Sequence, residues 1–235
     1  MRLYLIRHGQ TASNVAGQLD TAPPGPGLTE LGHAQARSLV DVLATERLAA
    51  IYASRLVRTQ LTAAPLAEAH GLDVQVQPGL EEIRAGDIEM CSDDDAVATY
   101  LGCVVGWMFG DRDRTLPGSH DGHAFLARYD AAVRAIAGRH TEGETVVAFS
   151  HGAAIRTYTA MRAAGVDARD ISERRMMNTG GVILDGDADG WHLVRWSVEP
   201  LGGADLTDRA AHDVTGDGAE GAVASRCPLS SGSSA

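Results

Sequence analysis

The chain contains no lysine; all 20 of its basic residues are arginine. That absence excludes a Walker-type phosphate loop ending in Gly-Lys, a kinase-type β3 lysine, and any Schiff-base lysine. Cysteine is scarce and odd in number: Cys91, Cys103 and Cys227 show no metal or redox spacing. With strand-forming residues at the start in place of a signal peptide, the pattern predicts a cytoplasmic protein. Long apolar runs are missing as well. The most apolar window, Val97 to Phe109, is too short to span a bilayer, so no membrane association is expected. Positive charge is outweighed, with a net charge of −11. Nucleic acid is therefore not expected as a partner, since it demands a basic footprint. An arginine pocket on an acidic protein can still take a small anionic substrate.

What is present is ordinary for a globular protein of 235 residues, with 44% hydrophobic and 22% charged residues. Strand-like runs recur at Arg2–Ile6, Ala49–Ala53, Val74–Val76, Val146–Ser150, Gly181–Leu184 and Leu193–Val198. Helical patterns lie between several of them. One follows Thr29, a plausible N-cap; a second runs from Leu56 to His70 and stops at Gly71. A third carries Phe125, Tyr129, Val133 and Ile136 behind Asp121, and a fourth spans Ala153 to Ala164. This alternation predicts an α/β fold: a three-layer sandwich with a mostly parallel central sheet flanked by helices on both faces. Residues 1–201 would form the domain. Residues 202–235, rich in Gly, Ala, Asp and Ser, are expected to be a disordered tail.

Two strands end the same way. Arg2 to Ile6 runs into Arg7-His8-Gly9, and Val146 to Phe149 runs into Ser150-His151-Gly152. In open α/β sheets ligands bind at the carboxyl ends of strands. Arg58 lies in the first turn of a helix after a strand, Asn14 lies in the loop after His8, and Glu81-Glu82 supply a carboxylate pair. Two strand-end histidines with two arginines describe a phosphate pocket, because guanidinium forks match phosphoryl oxygens in paired hydrogen bonds. Beside two guanidiniums His8 is expected to be neutral and nucleophilic.

Arg7-His8-Gly9, the run from Ser54 through Arg58-Thr59 to Thr62-Ala63, Leu80-x-Glu82 and Ser150-His151-Gly152 together resemble the histidine phosphatase superfamily, in its phosphoglycerate-mutase-like branch. Leu28-Thr29-Glu30-Leu31-Gly32 with Gln35-Ala36 is similar to that family's helix signature. The resemblance implies that His8 is the phosphorylated nucleophile, that Arg7, Arg58, His151 and Gly152 hold the phosphoryl oxygens with help from Asn14, and that Glu82 protonates the leaving oxygen. Glu81, Asp87 and Glu89 are the other carboxylates within reach. No metal and no cofactor are expected, because arginines neutralise the charge.

The function this implies is a metal-independent phosphomonoesterase acting on a small phosphorylated metabolite, with a homodimer possible. Two alternatives stand beside it. A phosphoglycerate mutase would return the phosphoryl group to its substrate; the segment from Gly86 to Ser150 is short and lysine-free for that role. A non-catalytic phospho-ligand binding module is the other. The chain departs from the family pattern at Gly86-Asp87-Ile88-Glu89-Met90, where Gly-x-Trp-Glu-Gly is usual, and around Ser119-His120-Asp121. Both departures bear on specificity. His120 and His123 invite a metal reading, against which a solvated loop with a helix cap is favoured. Tyr100, Trp107 and Phe109, ahead of Arg112 and Arg114, could be ordinary core or a lid over the site. The loop from Thr21 to Gly27 is proline-rich and narrows the entrance.

Overall fold

A computed structural model describes residues 1–208, 211 and 213–216. Among the described residues seven strands form one mostly parallel sheet in the order β3-β2-β4-β1-β6-β7-β5. These are β1 (Arg2–Arg7), β2 (Leu48–Ala53), β3 (Val74–Val76), β4 (Thr145–Ser150), β5 (Ala163–Ala164), β6 (Gly181–Gly186) and β7 (Trp191–Ser197). β1, β2, β3 and β4 pair in parallel, whereas β6 is antiparallel to both β1 and β7. β1 reads as a continuous apolar run because both of its faces are covered. Leu3 and Leu5 join one apolar cluster; Tyr4 and Ile6 join another across the sheet. The alternation is the period-two geometry of a strand, expressed here in two cores rather than one.

Three helices follow the sequence expectation. Thr29 caps α2 (Glu30–Val42) by accepting from the Gly32 amide at 3.0 Å. α3 (Val57–His70) stops at Gly71, whose φ of +65° is left-handed and suits a residue without Cβ. Asp121 caps α5 (Gly122–Ala137), accepting from the Ala124 amide at 2.7 Å. α1 (Ala12–Val15) is a single turn after β1.

Three elements differ from the sequence expectation. The apolar window becomes α4 (Asp94–Met108), capped by Asp93 with Asp94 and Asp95 in its first turn. Its high apolar content blurs the helical period, which hides it in the sequence. α6 (Gly152–Arg162) ends two residues early, because Ala163 and Ala164 pair with β7 as β5. α7 (Ala168–Glu173) is too short to show a period. The tail also differs where it is described. Gln35 donates to the Leu206 carbonyl at 2.9 Å, Gln10 to Asp208 at 2.9 Å, and Asp213, Val214 and Thr215 are buried. The rest of the tail, Cys227 included, lies outside the described residues.

Candidate active site

The β1/β4 register sets Arg7 opposite Ser150. The next residue on each strand is a histidine, so two imidazoles emerge side by side, with ring centroids 5.2 Å apart. Both rings are buried. His8 Nδ1 lies 2.8 Å from the Gly9 carbonyl, which fixes that nitrogen as the N–H donor. Nε2 therefore carries the lone pair, and it accepts from Arg58 Nε at 3.1 Å. Burial, then the Arg58 and Arg7 charges, hold the His8 pKa well below the ordinary imidazole value. A neutral imidazole with its lone pair turned to a guanidinium has the form a nucleophile needs.

Arg58 reaches His8 because α3 starts directly after β2. Ser54 Oγ accepts from the Leu56 amide at 3.2 Å in place of a conventional cap. Thr62, one turn beyond Arg58, accepts from the Gly9 amide at 2.9 Å and ties α3 to the β1 loop. Asp20 supports Arg58 twice: its carbonyl accepts from Nη2 at 2.8 Å, and its carboxylate lies 3.6 Å from Nη1. Gly25 in the proline-rich loop packs so close that a Cβ would come 2.5 Å from Arg58 Nη1.

His151 is oriented by a hydroxyl relay. Ser54 Oγ lies 2.8 Å from Nε2, while Thr59 Oγ1 donates to the Leu56 carbonyl at 2.8 Å. If Ser54 donates to Nε2, the ring carries its N–H on Nδ1. That nitrogen is buried without a hydrogen-bond partner, as is Arg7 Nε. Buried donors without partners are costly unless a ligand takes them up. Burial, with Arg58 and His8 next, holds the His151 pKa well below the ordinary value.

The adjacent carboxylates diverge. Glu82 is buried at the N-terminus of α6, accepting from the Ala154 and Ile83 amides at 2.8 Å each and from Ala153 at 3.2 Å. Burial outweighs these bonds and the Arg7 and Arg58 charges, raising its pKa. Glu81 turns away, bonding Arg55 at 2.7 Å, the Gly79 amide at 2.8 Å and Arg128 at 3.2 Å. Its pKa is lowered; these bonds, led by the one from Arg55, outweigh burial. Arg128 also donates to the carbonyls of Gly79, Glu81 and Glu82, and Tyr100 to that of Ile83, so the Glu82 backbone is clamped. Glu81→Gln is therefore expected to cost roughly 1–3 kcal/mol of stability, while kcat falls less than about threefold. Chemical denaturation beside steady-state kinetics checks this; a large kcat loss at intact stability contradicts it.

Asn14 does two things. Its backbone amide donates to Thr11 Oγ1 and its side-chain Oδ1 accepts from the Thr11 amide, a capping box, while its Nδ2 donates to Asp213 at 3.1 Å. Gly152 opens α6 beside Arg7, where a Cβ would come 3.0 Å from Arg7 Nε. Sequence reasoning missed Asn178, whose Nδ2 donates to the His8 carbonyl at 3.1 Å and approaches Asn14 Oδ1 at 3.3 Å. The Asn178-Thr179-Gly180 turn ahead of β6 was the available signal. It also missed the C-terminal segment. Asp213 accepts from Arg7 Nη2 at 2.5 Å, and Thr215 Oγ1 accepts from the same nitrogen at 2.9 Å.

Glu89 acts structurally, accepting from the Thr21 amide at 2.6 Å and the Ala22 amide at 2.7 Å. Asp87 is exposed. Met90 takes the place of the usual glycine at φ +65° and is half-exposed. A side chain in the left-handed region costs about 1–2 kcal/mol. Met90→Gly is expected to raise stability by roughly 0.5–1 kcal/mol, after the flexibility glycine adds to the unfolded chain. An upward shift of the urea midpoint at constant slope tests it; a downward shift contradicts it.

Tyr100 and Trp107 belong to the core: Trp107 stacks on Phe125 with centroids 5.8 Å apart and donates to the Arg114 carbonyl at 2.8 Å. Only Phe109 of that run is exposed. His123 pairs with Asp113 at the surface, and no group of three or more metal-ligating side chains occurs among the described residues. Cys91 and Cys103 are free. No described helix is long and apolar enough to cross a membrane.

The family model of the histidine phosphatase superfamily (branch 1) matches residues 3–199. A PE-PGRS family protein of Mycobacterium tuberculosis, PE_PGRS11, is 37% identical over 89% of this chain, which spans only 38% of that protein's length. A probable phosphoglycerate mutase, GpmB, of an Enterobacter species is 29% identical over 91% of this chain and 98% of its own. Among solved structures, mycobacterial glucosyl-3-phosphoglycerate phosphatase superposes with a TM-score of 0.71 at 26% identity, covering 84% of this chain and 99% of that one. The alpha-ribazole phosphatase of Shigella flexneri gives 0.65 at 26%, covering 85% and 97%. With its motifs gathered around the two buried histidines and its family matched over nearly the whole length, this chain belongs to branch 1 of the histidine phosphatase superfamily.

Proposed function

We propose that this protein hydrolyses small phosphomonoesters through a phosphohistidine on His8, without a metal ion. The observation that carries the reading is the tautomer of His8. Nδ1–H is committed to the Gly9 carbonyl, so Nε2 presents its lone pair toward the Arg58 guanidinium. In the first step Nε2 attacks phosphorus and the P–O ester bond breaks. Glu82, whose raised pKa favours the protonated form, delivers its proton to the departing alkoxide. Arg7, Arg58 and the His151 Nδ1–H meet the charge on the equatorial oxygens. In the second step Glu82, now a carboxylate, removes a proton from water; water oxygen attacks phosphorus and the P–N bond breaks. Phosphate leaves, and His8 and Glu82 return to their starting states.

Hydrolysis of p-nitrophenyl phosphate without added metal, undiminished by chelator, tests the metal-free reading. Loss of activity in chelator that returns with one cation contradicts it. The pH dependence has a definite sign. Glu82 with a raised pKa is an acid below that value, so kcat/KM falls as pH rises through it. His8 with a depressed pKa stays neutral below the ordinary 6.5, so the acid limb is displaced downward. The plateau is expected between the lowered His8 value and the raised Glu82 value, with the alkaline limb absent in Glu82→Gln. The two apolar clusters on opposite sheet faces support the three-layer arrangement that carries this site. Phosphoglycerate mutase activity is the second reading, favoured by the similarity to GpmB. Incubation with 3-phosphoglycerate separates the two: release of inorganic phosphate marks hydrolysis, an isomeric phosphoglycerate marks transfer.

A further inference from the structure

We propose that Arg7 and Asn14 form a carboxylate site whose resident ligand is the chain's own Asp213, so that a phosphorylated substrate binds by displacing the segment from Asp213 to Gly216. The inference rests on the phosphoryl-binding reading of the cleft. Asp213 Oδ1 takes two donors at once, Arg7 Nη2 at 2.5 Å and Asn14 Nδ2 at 3.1 Å. Neither donor needs Asp213 to hold its place. Arg7 is anchored through Nη1 to the Met176 carbonyl at 2.7 Å. Asn14 is anchored through Oδ1 to the Thr11 amide at 3.0 Å. Both therefore present pre-set N–H groups toward an anion, and a carboxylate from the chain has taken them.

The segment is seated by more than this charge. Val214 is buried in the larger apolar cluster. The Met176 amide donates to the Gly216 carbonyl at 2.9 Å, and the Gly216 amide closes a turn onto the Asp213 carbonyl at 3.0 Å. Both contact points are glycines. A Cβ on Gly152 would come 2.4 Å from the Thr215 carbonyl oxygen, and one on Gly216 would come 2.1 Å from Arg7 Nη1. Thr215 adds its hydroxyl to the same Arg7 nitrogen at 2.9 Å. An intramolecular carboxylate competes at high effective concentration, and a phosphoryl group wins by offering more oxygens and more charge to the same donors.

The test uses the full chain with two readouts: calorimetric binding of inorganic phosphate and turnover of p-nitrophenyl phosphate. Asp213→Ala is expected to bind phosphate about tenfold more tightly, because the competent fraction rises. KM should fall by a similar factor with kcat within about twofold. Val214→Asp, which removes the apolar anchor without touching Arg7, should act in the same direction. Unchanged or weaker phosphate binding in both variants overturns the proposal, as does a fall in kcat for Asp213→Ala, which would make Asp213 a support for Arg7. Tighter phosphate binding without turnover in any variant would sustain the displacement and sink the phosphatase reading instead.

Discussion

Replacing His8 by alanine lowers kcat/KM for phosphomonoesters by at least about ten-thousandfold, the scale seen when a covalent nucleophile is removed. The loss falls on kcat. Arg7, Arg58 and His151 remain, so inorganic phosphate should still bind within about tenfold of its original affinity. The size of the effect follows from the role: without Nε2, water must attack the ester directly. The variant loses one buried ring and one Arg58 contact, so a thermal melt run beside the kinetics separates lost chemistry from lost folding. Activity within a hundredfold of the original in a folded His8→Ala protein would move the nucleophile elsewhere.

Glu82→Gln has the second-largest expected effect, and its signature is selective. An amide cannot hand a proton to a departing alkoxide, so kcat for alkyl phosphates should drop by roughly 10²–10⁴. p-Nitrophenolate departs without protonation, so its ester should lose far less in the first step. A pre-steady-state burst should then appear with the activated ester, because hydrolysis of the phosphoenzyme still lacks its base. The substitution has a structural cost too. The new amide can turn an N–H toward the Ala153 amide now satisfied by Oε2 at 3.2 Å, and a donor facing a donor costs about 1–3 kcal/mol. Equal losses for alkyl and nitrophenyl esters in a folded protein would assign the proton to another group.

The parts of the fold visible in the sequence are those with a clean local signal. β1 and β4 were legible as apolar runs stopped by glycine, and α2 and α5 through their Thr29 and Asp121 caps. α4 was not, because its residues are apolar nearly all round and two glycines interrupt it. β5 was not, because two residues carry no period and their pairing with β7 is decided by the sheet. The site divides along the same line. His8, Arg58 and His151 follow strands or start helices; the β1/β4 register brings the two histidines together, and the β2/β4 pairing brings in the helix that carries Arg58. Glu82 over Glu81 required the backbone clamp of Arg128 and the N-terminus of α6, which come from distant segments. Asp213 reaches Arg7 across 206 residues, and a Gly/Ala/Asp/Ser-rich tail gives no local sign of such a contact.

The account turns on a phosphoryl group bonded to His8. Rapid acid-free quenching of the Glu82→Gln protein during turnover of p-nitrophenyl phosphate, followed by peptide mass spectrometry, measures that bond directly. The account predicts one phosphoryl mass on the peptide carrying His8, stable in alkali, lost in acid and absent from the His8→Ala protein. An unmodified His8 peptide during active turnover, or the phosphoryl group on any other residue, would contradict it.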